Sequence, residues 1–326
     1  MKHNSMWTAF GASLGMLILI LDSKTAFEGA SEGMILCMQV VVPSLFPFFV
    51  LSALLTSSLS NTSIGLLQPF RQLCDLSPGC EGILISGFLG GYPVGAQCVA
   101  QSYKAGFLTK KEAERMLAFC SNTGPAFLFG MVGPMFSHSW MPWALWIIHI
   151  TSALITASFF PSGGENAKCV SGSPVSVSQA LLKSIRIMGL VCGWIILFRV
   201  FLAFLRRWFL WFFPADLQVV ISGVLELSNG CYELGKIAQE PIRFVVASGM
   251  LAMGGVCVVM QTKAVAGGLS LRCYYIGKIL QTVFSLIFSW TIIYRKWYFL
   301  MALLLILLYY PRKNQKSSSI SLPLRV

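Results

Sequence analysis

Charged residues are scarce in this chain of 326 residues. Asp, Glu, Lys and Arg make up 11% of it, whereas they make up about a quarter of an ordinary soluble domain. Apolar residues account for 56%, and the mean hydropathy is +0.73. This composition excludes a soluble globular protein. It predicts a multi-pass protein of the cell membrane, all-α, with one membrane domain over residues 1–326.

The sequence patterns of enzymes and metal proteins are also missing. The chain has three histidines and no H-E-x-x-H sequence, nucleophile elbow or Walker A sequence. Its ten cysteines include no C-x-x-C pair, so we expect small apolar core residues rather than metal ligands or disulfides. We therefore expect no enzyme activity, no catalytic residue, no metal, no cofactor and no nucleic-acid partner.

Long uncharged runs predict the membrane spans, because about 20 apolar residues cross a bilayer as a helix. The predicted spans lie near residues 5–21, 34–56, 117–136, 141–160, 187–205, 244–262, 279–294 and 297–310. We interpret the first as a retained span, since no small-residue cleavage site follows it; a signal peptide is the alternative. The last is short, and a helix lying in the membrane interface is its alternative.

Two apolar segments, near residues 82–103 and 217–234, remain outside these spans. We predict that both are re-entrant helical hairpins. With the N-terminus inside, Lys and Arg concentrate on the inner side, and the two halves of the chain run in opposite directions across the membrane. The prediction is a pair of inverted repeats at residues 34–160 and 181–294, each with a hairpin and a broken helix, as in secondary transporters with a midplane site.

Glycine and proline interrupt the apolar runs at matching places in the two halves. In SGFLGGYPVGA, residues 86–96, glycines permit unwinding and the proline stops a helix. Close helix packing by small residues is the alternative explanation. The predicted substrate-binding residues are Ser86, Gly90, Gly91, Tyr92, Pro93, Gly95, Gln97, Ser121, Asn122, Gly124, Glu226, Ser228, Asn229, Gly254 and Gly255.

Glu226 is the one acid that falls inside a predicted membrane segment away from its ends. An intramembrane carboxylate is costly and is by default a functional candidate, so Glu226 is expected to bind a coupling cation or proton, or the substrate. Its alternative role is an ion pair with Arg199, the one basic residue placed within a predicted span. Arg199 is thus a candidate charge partner or anion site.

Four segments resemble the signature of the YlbJ/SpoVV sporulation integral membrane proteins. They are residues 86–96, CSNTGPA at 120–126, GVLELSNG at 223–230 and GGVC at 254–257. That family is placed in the nucleoside recognition or Gate-domain superfamily, similar to concentrative nucleoside transporters and the FeoB gate. The resemblance implies endospore formation, a location in the forespore membrane and movement of dipicolinate.

These observations predict a secondary transporter of a small anionic or nucleoside-like solute, with dipicolinate favoured. The expected partners are the lipid bilayer, the solute, a coupling proton or sodium ion, and further copies of the chain in a homo-oligomer. The rival hypothesis is a non-transporting assembly or scaffolding factor in spore maturation. A third is a gate subunit that depends on a separate NTPase.

Overall fold

The computed structural model describes residues 2–59, 68–76, 80–161 and 175–295, and every regular element in these ranges is helical. This confirms the all-α prediction. The helices are α1 (Lys2–Leu21), α2 (Ser23–Leu36), α3 (Val42–Leu59), α4 (Gln68–Leu73), α5 (Glu81–Leu89), α6 (Val94–Lys104), α7 (Lys110–Met116), α8 (Pro125–Phe127), α9 (Trp140–Ser158), α10 (Val177–Trp208), α11 (Ala215–Leu225), α12 (Leu227–Tyr232), α13 (Glu240–Met253), α14 (Gly255–Val265) and α15 (Arg272–Ile293). Turns of π-helix continue α2 into α3 and extend α8.

Five helical stretches in the described residues are long and apolar enough to cross a membrane. They are Ser23–Leu55, Trp140–Ser158, Val177–Trp208, Glu240–Val265 and Arg272–Ile293. Each contains most or all of one predicted span, and together they agree with a multi-pass membrane protein. The predicted span at residues 297–310 lies outside the described residues.

Two predicted spans take a different form. The segment near residues 117–136 is not one helix, because residues 117–124 leave the helical conformation and the apolar helical part is limited to Pro125–Met135. At the N-terminus, the apolar helix Met6–Leu21 is shorter than the five spanning stretches. A glycine and a proline at residues 124 and 125 explain the first difference, since proline is favoured at a helix start and not within one.

Side-chain caps fix several helix starts. Ser176 and Gln179 form a reciprocal capping box at the start of α10, with bonds of 3.3 and 3.2 Å. Thr109 caps α7 by accepting a hydrogen bond from the amide of Glu112 at 3.2 Å. Both caps satisfy amide groups that a helix start leaves without partners.

The long helices pack in pairs around the interrupted ones. α2 and α3 pack against α10, while α15 packs against both α9 and α13. The order long helix, interrupted pair, broken helix and long helix occurs twice, from α3 to α9 and from α10 to α15. The predicted domain boundaries and the opposite orientation of the halves stay predictions.

The cysteines differ in part from the expectation. Among the described residues, eight are free thiols, and five of those are buried. Cys80, at the start of α5, is disulfide-bonded. Apolar core packing therefore accounts for most of these cysteines but not for all of them.

Candidate functional site

The first interruption of the helices separates α5 from α6. Gly91 there has φ of +73°, a left-handed conformation that favours glycine. A Cβ atom on Gly91 would lie 2.8 Å from the amide nitrogen of Gly124. The loop between α5 and α6 therefore needs glycine both for its backbone turn and for its contact with the next interruption.

The second interruption, residues 121–124 between α7 and α8, is buried and hydrogen-bonded by side chains. The amide of Thr123 donates to Nε2 of His149 on α9 at 3.0 Å. The amide nitrogen Nδ2 of Asn122 donates to the carbonyl oxygen of Phe119 at 2.6 Å. These bonds satisfy polar backbone groups that a continuous helix would have paired internally.

The third and fourth interruptions, at Glu226 and Gly254, lie against one another. Glu226 is extended, and its carboxylate accepts hydrogen bonds from the amides of Ser228 at 3.0 Å and Asn229 at 2.7 Å, capping α12. Gly254 and Gly255 both have positive φ. A Cβ atom on Gly255 would lie 2.7 Å from the carbonyl oxygen of Gly223.

All four interruptions meet at the end of α13. The carbonyl oxygen of Leu251 accepts hydrogen bonds from the hydroxyl of Thr123 at 2.9 Å and from the hydroxyl of Tyr92 at 3.4 Å. The ring of Tyr92 also lies against Gly254, whose Cβ atom would be 3.2 Å from its Cζ. The first and second interruptions are thus joined to the fourth, and through Gly255 to the third.

A narrow cavity lies where these segments meet. It is lined by Leu45, Gly91, Tyr92, Thr123, Gly124, Phe127, Val191, Ile195, Leu227, Ser228, Val258 and Gln261. Its empty volume is about 390 Å³, and part of that space is open to the outside. The enclosed part has room for a few waters at most in this state.

A chain of buried polar side chains extends from the cavity to α15. Nζ of Lys278 donates to the hydroxyl of Tyr92 at 2.8 Å and to Oε1 of Gln281 at 2.7 Å. Nε2 of Gln281 in turn donates to Oδ1 of Asn122 at 3.0 Å. The first and second interruptions are thereby connected to one face of α15.

Buried acids in the described residues differ in whether they have a basic partner. Glu112 pairs with Arg115, and Glu233 pairs with Arg199, Arg206 and Lys236. Glu226 is 1% exposed and forms none of the ion pairs found among the described residues. Glu226 is therefore one of several buried acids in the described residues, and its lack of an ion pair distinguishes it from Glu112 and Glu233.

Arg199 does not pair with Glu226. Its guanidinium donates to Glu32 at 2.8 Å, to Oδ1 of Asn229 at 2.9 Å and to Glu233 at 3.2 Å. Arg199 thus has two acidic partners, of which Glu233 is shared with Arg206 and Lys236, and Arg199 does not line the cavity. The alternative role of Glu226, an ion pair with Arg199, is not found among the described residues, and Arg199 contacts acids rather than the cavity.

The other predicted site residues fall into two groups. Those on the cavity wall are Gly91, Tyr92, Gly124 and Ser228. The remainder lie behind the wall or on packing faces: Ser86, Gly90, Pro93, Gly95, Gln97, Ser121, Asn122, Glu226, Asn229, Gly254 and Gly255. A Cβ atom on Gly95 would collide with the backbone carbonyl of Cys120, so close packing explains this glycine better than ligand contact.

One curated relative is similar over most of the chain. The chain is 25% identical to the sporulation integral membrane protein YlbJ of Bacillus subtilis (strain 168) over 331 residues, which cover 86% of this chain and 81% of that protein. This similarity supports assignment to the YlbJ family. No family model matches the chain, and no solved structure matches it. The YlbJ similarity agrees with the location in a membrane as a multi-pass protein and with the resemblance of the sequence motifs.

Several polar residues of the site were not predicted from the sequence, among them Thr123, Gln261, Lys278 and Gln281. The predicted span begins at residue 279 and leaves Lys278 outside it, whereas α15 begins at Arg272. The signal that could have revealed it is the spacing of Lys278, Gln281, Ser285 and Ser289, which are all buried. Steps of three and four residues place polar groups on one face of a helix.

Proposed function

We propose that this protein is a secondary transporter acting in sporulation, with its solute site at the cavity between the four helix interruptions. The observation that carries this proposal is the convergence of the interruptions at the carbonyl oxygen of Leu251, next to a cavity. The similarity to YlbJ, named a sporulation integral membrane protein, supports the biological setting.

Irregular backbone is costly inside a membrane. Unpaired amide and carbonyl groups are tolerated at membrane depth only where they are buried in protein or line a water-filled cavity. Packing alone would be satisfied by continuous helices with small residues. Interruptions that lie together, with buried ionisable groups at Glu226 and Lys278 beside them, match the construction of a transporter's binding site.

The proposed mechanism is alternating access. The cavity is too small in this state for an organic solute, so binding requires the interrupted segments to separate. In our proposal the predicted repeats at residues 34–160 and 181–294 move against one another, and the interrupted pairs α5–α6 and α11–α12 act as re-entrant hairpins. The pairing of α3 with α10 and of α9 with α15 supports this division, since these helices hold corresponding positions in the two halves.

The proposed solute is a small anionic or nucleoside-like molecule, with dipicolinate as the first compound to test because the family resemblance implies it. Glu226 is the proposed site for a coupling proton or sodium ion. Its carboxylate caps α12, next to the cavity residue Ser228. Loss or gain of a proton there would change the charge beside the solute without breaking an ion pair.

Uptake of radiolabelled dipicolinate into proteoliposomes tests this function. We expect saturable uptake by the wild-type protein that is lost in Gly91→Leu, because that side chain would meet the amide of Gly124. The matched control is Gly193→Leu, since a Cβ atom on Gly193 meets nothing within 4 Å. In Glu226→Gln we expect uptake that no longer responds to a proton or sodium gradient.

Labelled uridine is included in the same assay. Uptake of uridine but not of dipicolinate would support the proposed transport function and would show that the solute is nucleoside-like. If folded wild-type protein moved neither compound under either gradient, the transport proposal would be wrong for the chain acting alone, and a scaffolding role in spore maturation would be favoured.

A further inference from the structure

Lys278 is a buried basic residue in the middle of the described polar cluster. It lies in the second turn of α15 and is 5% exposed. Its hydrogen-bond acceptors, the hydroxyl of Tyr92 and Oε1 of Gln281, are neutral groups. The ammonium also lies 4.9 Å from the ring centroid of Tyr92 and 6.0 Å from that of Tyr274, so two aromatic faces add attraction for a cation.

The absence of a carboxylate partner sets Lys278 apart. Among the described residues, Arg115, Arg199 and Lys278 are the buried basic side chains. Arg115 pairs with Glu112, and Arg199 pairs with Glu32 and Glu233. The ion pairs of the described residues include none for Lys278. A protonated Lys278 is an uncompensated buried charge, which is costly, so an anion arriving nearby would stabilise the charged form of this side chain.

Tyr92 connects this charge to the cavity. Its side chain belongs to the cavity wall, together with Gly91, Thr123 and Gly124. Its hydroxyl accepts from Lys278 at 2.8 Å and donates to the carbonyl oxygen of Leu251 at 3.4 Å. The second bond is long for an O–H donor. Leu251 also keeps the shorter bond from Thr123, so the Tyr92 hydroxyl can turn to another acceptor at little cost.

We infer that Lys278, acting through Tyr92, sets the charge selectivity of the cavity and favours small carboxylates. A solute carboxylate replaces the carbonyl of Leu251 as acceptor for the Tyr92 hydroxyl. The ammonium of Lys278 behind that hydroxyl supplies the counter-charge and makes the hydroxyl a stronger donor. Lys278 is a positioning residue that does not itself line the cavity. This inference rests on the proposed solute site.

Arg199 differs from Lys278 in having acidic partners. It is the basic residue that the sequence predicts as an anion site, but it forms ion pairs with Glu32 and Glu233. A charge that is already balanced contributes little to the selectivity of a site. The charge selectivity therefore depends on Lys278 rather than on the residue that the sequence pointed to.

Binding of two ligands of nearly equal shape tests the inference. The purified full-length protein in detergent is assayed by scintillation proximity with labelled dipicolinate and with labelled pyridine-2,6-dicarboxamide, its neutral analogue. We expect Lys278→Met to lower the affinity for dipicolinate by at least about tenfold, as for the loss of a charge-assisted hydrogen bond. Tyr92→Phe should lower it as well, while the affinity for the diamide changes by less than about twofold.

The matched control is Lys263→Met, which removes an exposed positive charge near the end of α14 and should leave both affinities unchanged. Thermal unfolding without ligand provides a second readout. Methionine has a similar length and removes an unbalanced buried charge, so the unfolding temperature of Lys278→Met should equal or exceed that of the wild type.

Several results would overturn the inference. If Lys278→Met bound dipicolinate with the affinity of the wild type, Lys278 would have no role in charge selectivity. Equal losses of affinity for both ligands, or failure of the variant to fold, would mean that Lys278 acts through packing. Wild-type protein that moves uridine but binds no dipicolinate would leave the transport function standing and reject this selectivity. If the wild type neither bound nor moved any of the three compounds, the proposed function would fail together with this inference.

Discussion

The hydroxyl of Thr123 donates a 2.9 Å hydrogen bond to the carbonyl oxygen of Leu251, which lies 128 residues further along the chain. Leu251 is in the last turn of α13, where carbonyl groups have no partner within the helix. Thr123 belongs to the interruption before α8. The two halves of the chain are therefore held together by a backbone group that one interruption frees and a side chain that another presents.

Thr123→Val should destabilise the protein by about 1–3 kcal/mol, because it removes the shorter of two hydrogen bonds to a buried carbonyl while keeping the volume of the side chain. The measurement is the thermal unfolding of the purified protein. Thr123→Ser retains the hydroxyl and should lie between the wild type and the valine variant.

Thr291→Val is the matched control for this prediction. Thr291 is also buried, but its hydroxyl bonds to the carbonyl of Phe288 within the same helix, so its loss leaves the contact between the halves intact. Equal unfolding temperatures for Thr123→Val and Thr291→Val would show that the bond to Leu251 stabilises the protein no more than a hydroxyl bond within one helix.

Gly95→Ala should strongly impair folding, because the added Cβ atom would collide with the backbone carbonyl of Cys120. Overpacking of this kind typically costs about 1–3 kcal/mol, and more where backbone is the obstacle. Gly193→Ala, which meets nothing within 4 Å, should be tolerated. The yield of monodisperse protein in size-exclusion chromatography distinguishes the two, and equal yields would contradict the close approach of α6 to Cys120.

The interruptions were predictable from the sequence because their cause is local. Glycine permits unusual backbone conformations and proline interrupts a helix whatever the rest of the fold. In the structure, each of Gly91, Gly254 and the Gly124–Pro125 pair lies between two helices or at a helix start. The helical fold class followed from the long apolar runs for the same reason.

The partners of the polar side chains could not be predicted in this way. Arg199 was expected near an anion, yet Glu32 and Glu233 reach it from α2 and from the end of α12. The predicted span begins after Lys278, yet Lys278 lies within α15 and bonds to Tyr92. Both outcomes depend on which helices pack together, and one sequence without contacts does not contain that information.

Glu226→Ala should destabilise the protein by about 0.5–2 kcal/mol, the usual cost of losing a helix cap. Two buried amides, those of Ser228 and Asn229, lose their acceptor. Glu226→Gln keeps one amide oxygen as acceptor and should cost less. Glu28→Ala removes an exposed acid and serves as the control. An unfolding temperature of Glu226→Ala equal to that of the wild type would mean that the carboxylate does not cap α12.

Arg199→Met and Glu32→Gln should have unequal effects, although the two residues form one ion pair. The Glu32 side chain is 57% exposed and that of Arg199 is 10% exposed, so loss of Glu32 costs about 0–1 kcal/mol, as for other surface pairs. Loss of Arg199 also leaves Asn229 and the buried Glu233 without this donor. Because Glu233 keeps Arg206 and Lys236, we expect a cost below the roughly 3–5 kcal/mol of a fully orphaned buried charge.

Thermal unfolding of both single variants and of the double variant measures the difference between the two costs. Equal costs for the two single variants would show that Arg199 acts only through Glu32 and does not tie α10 to α12.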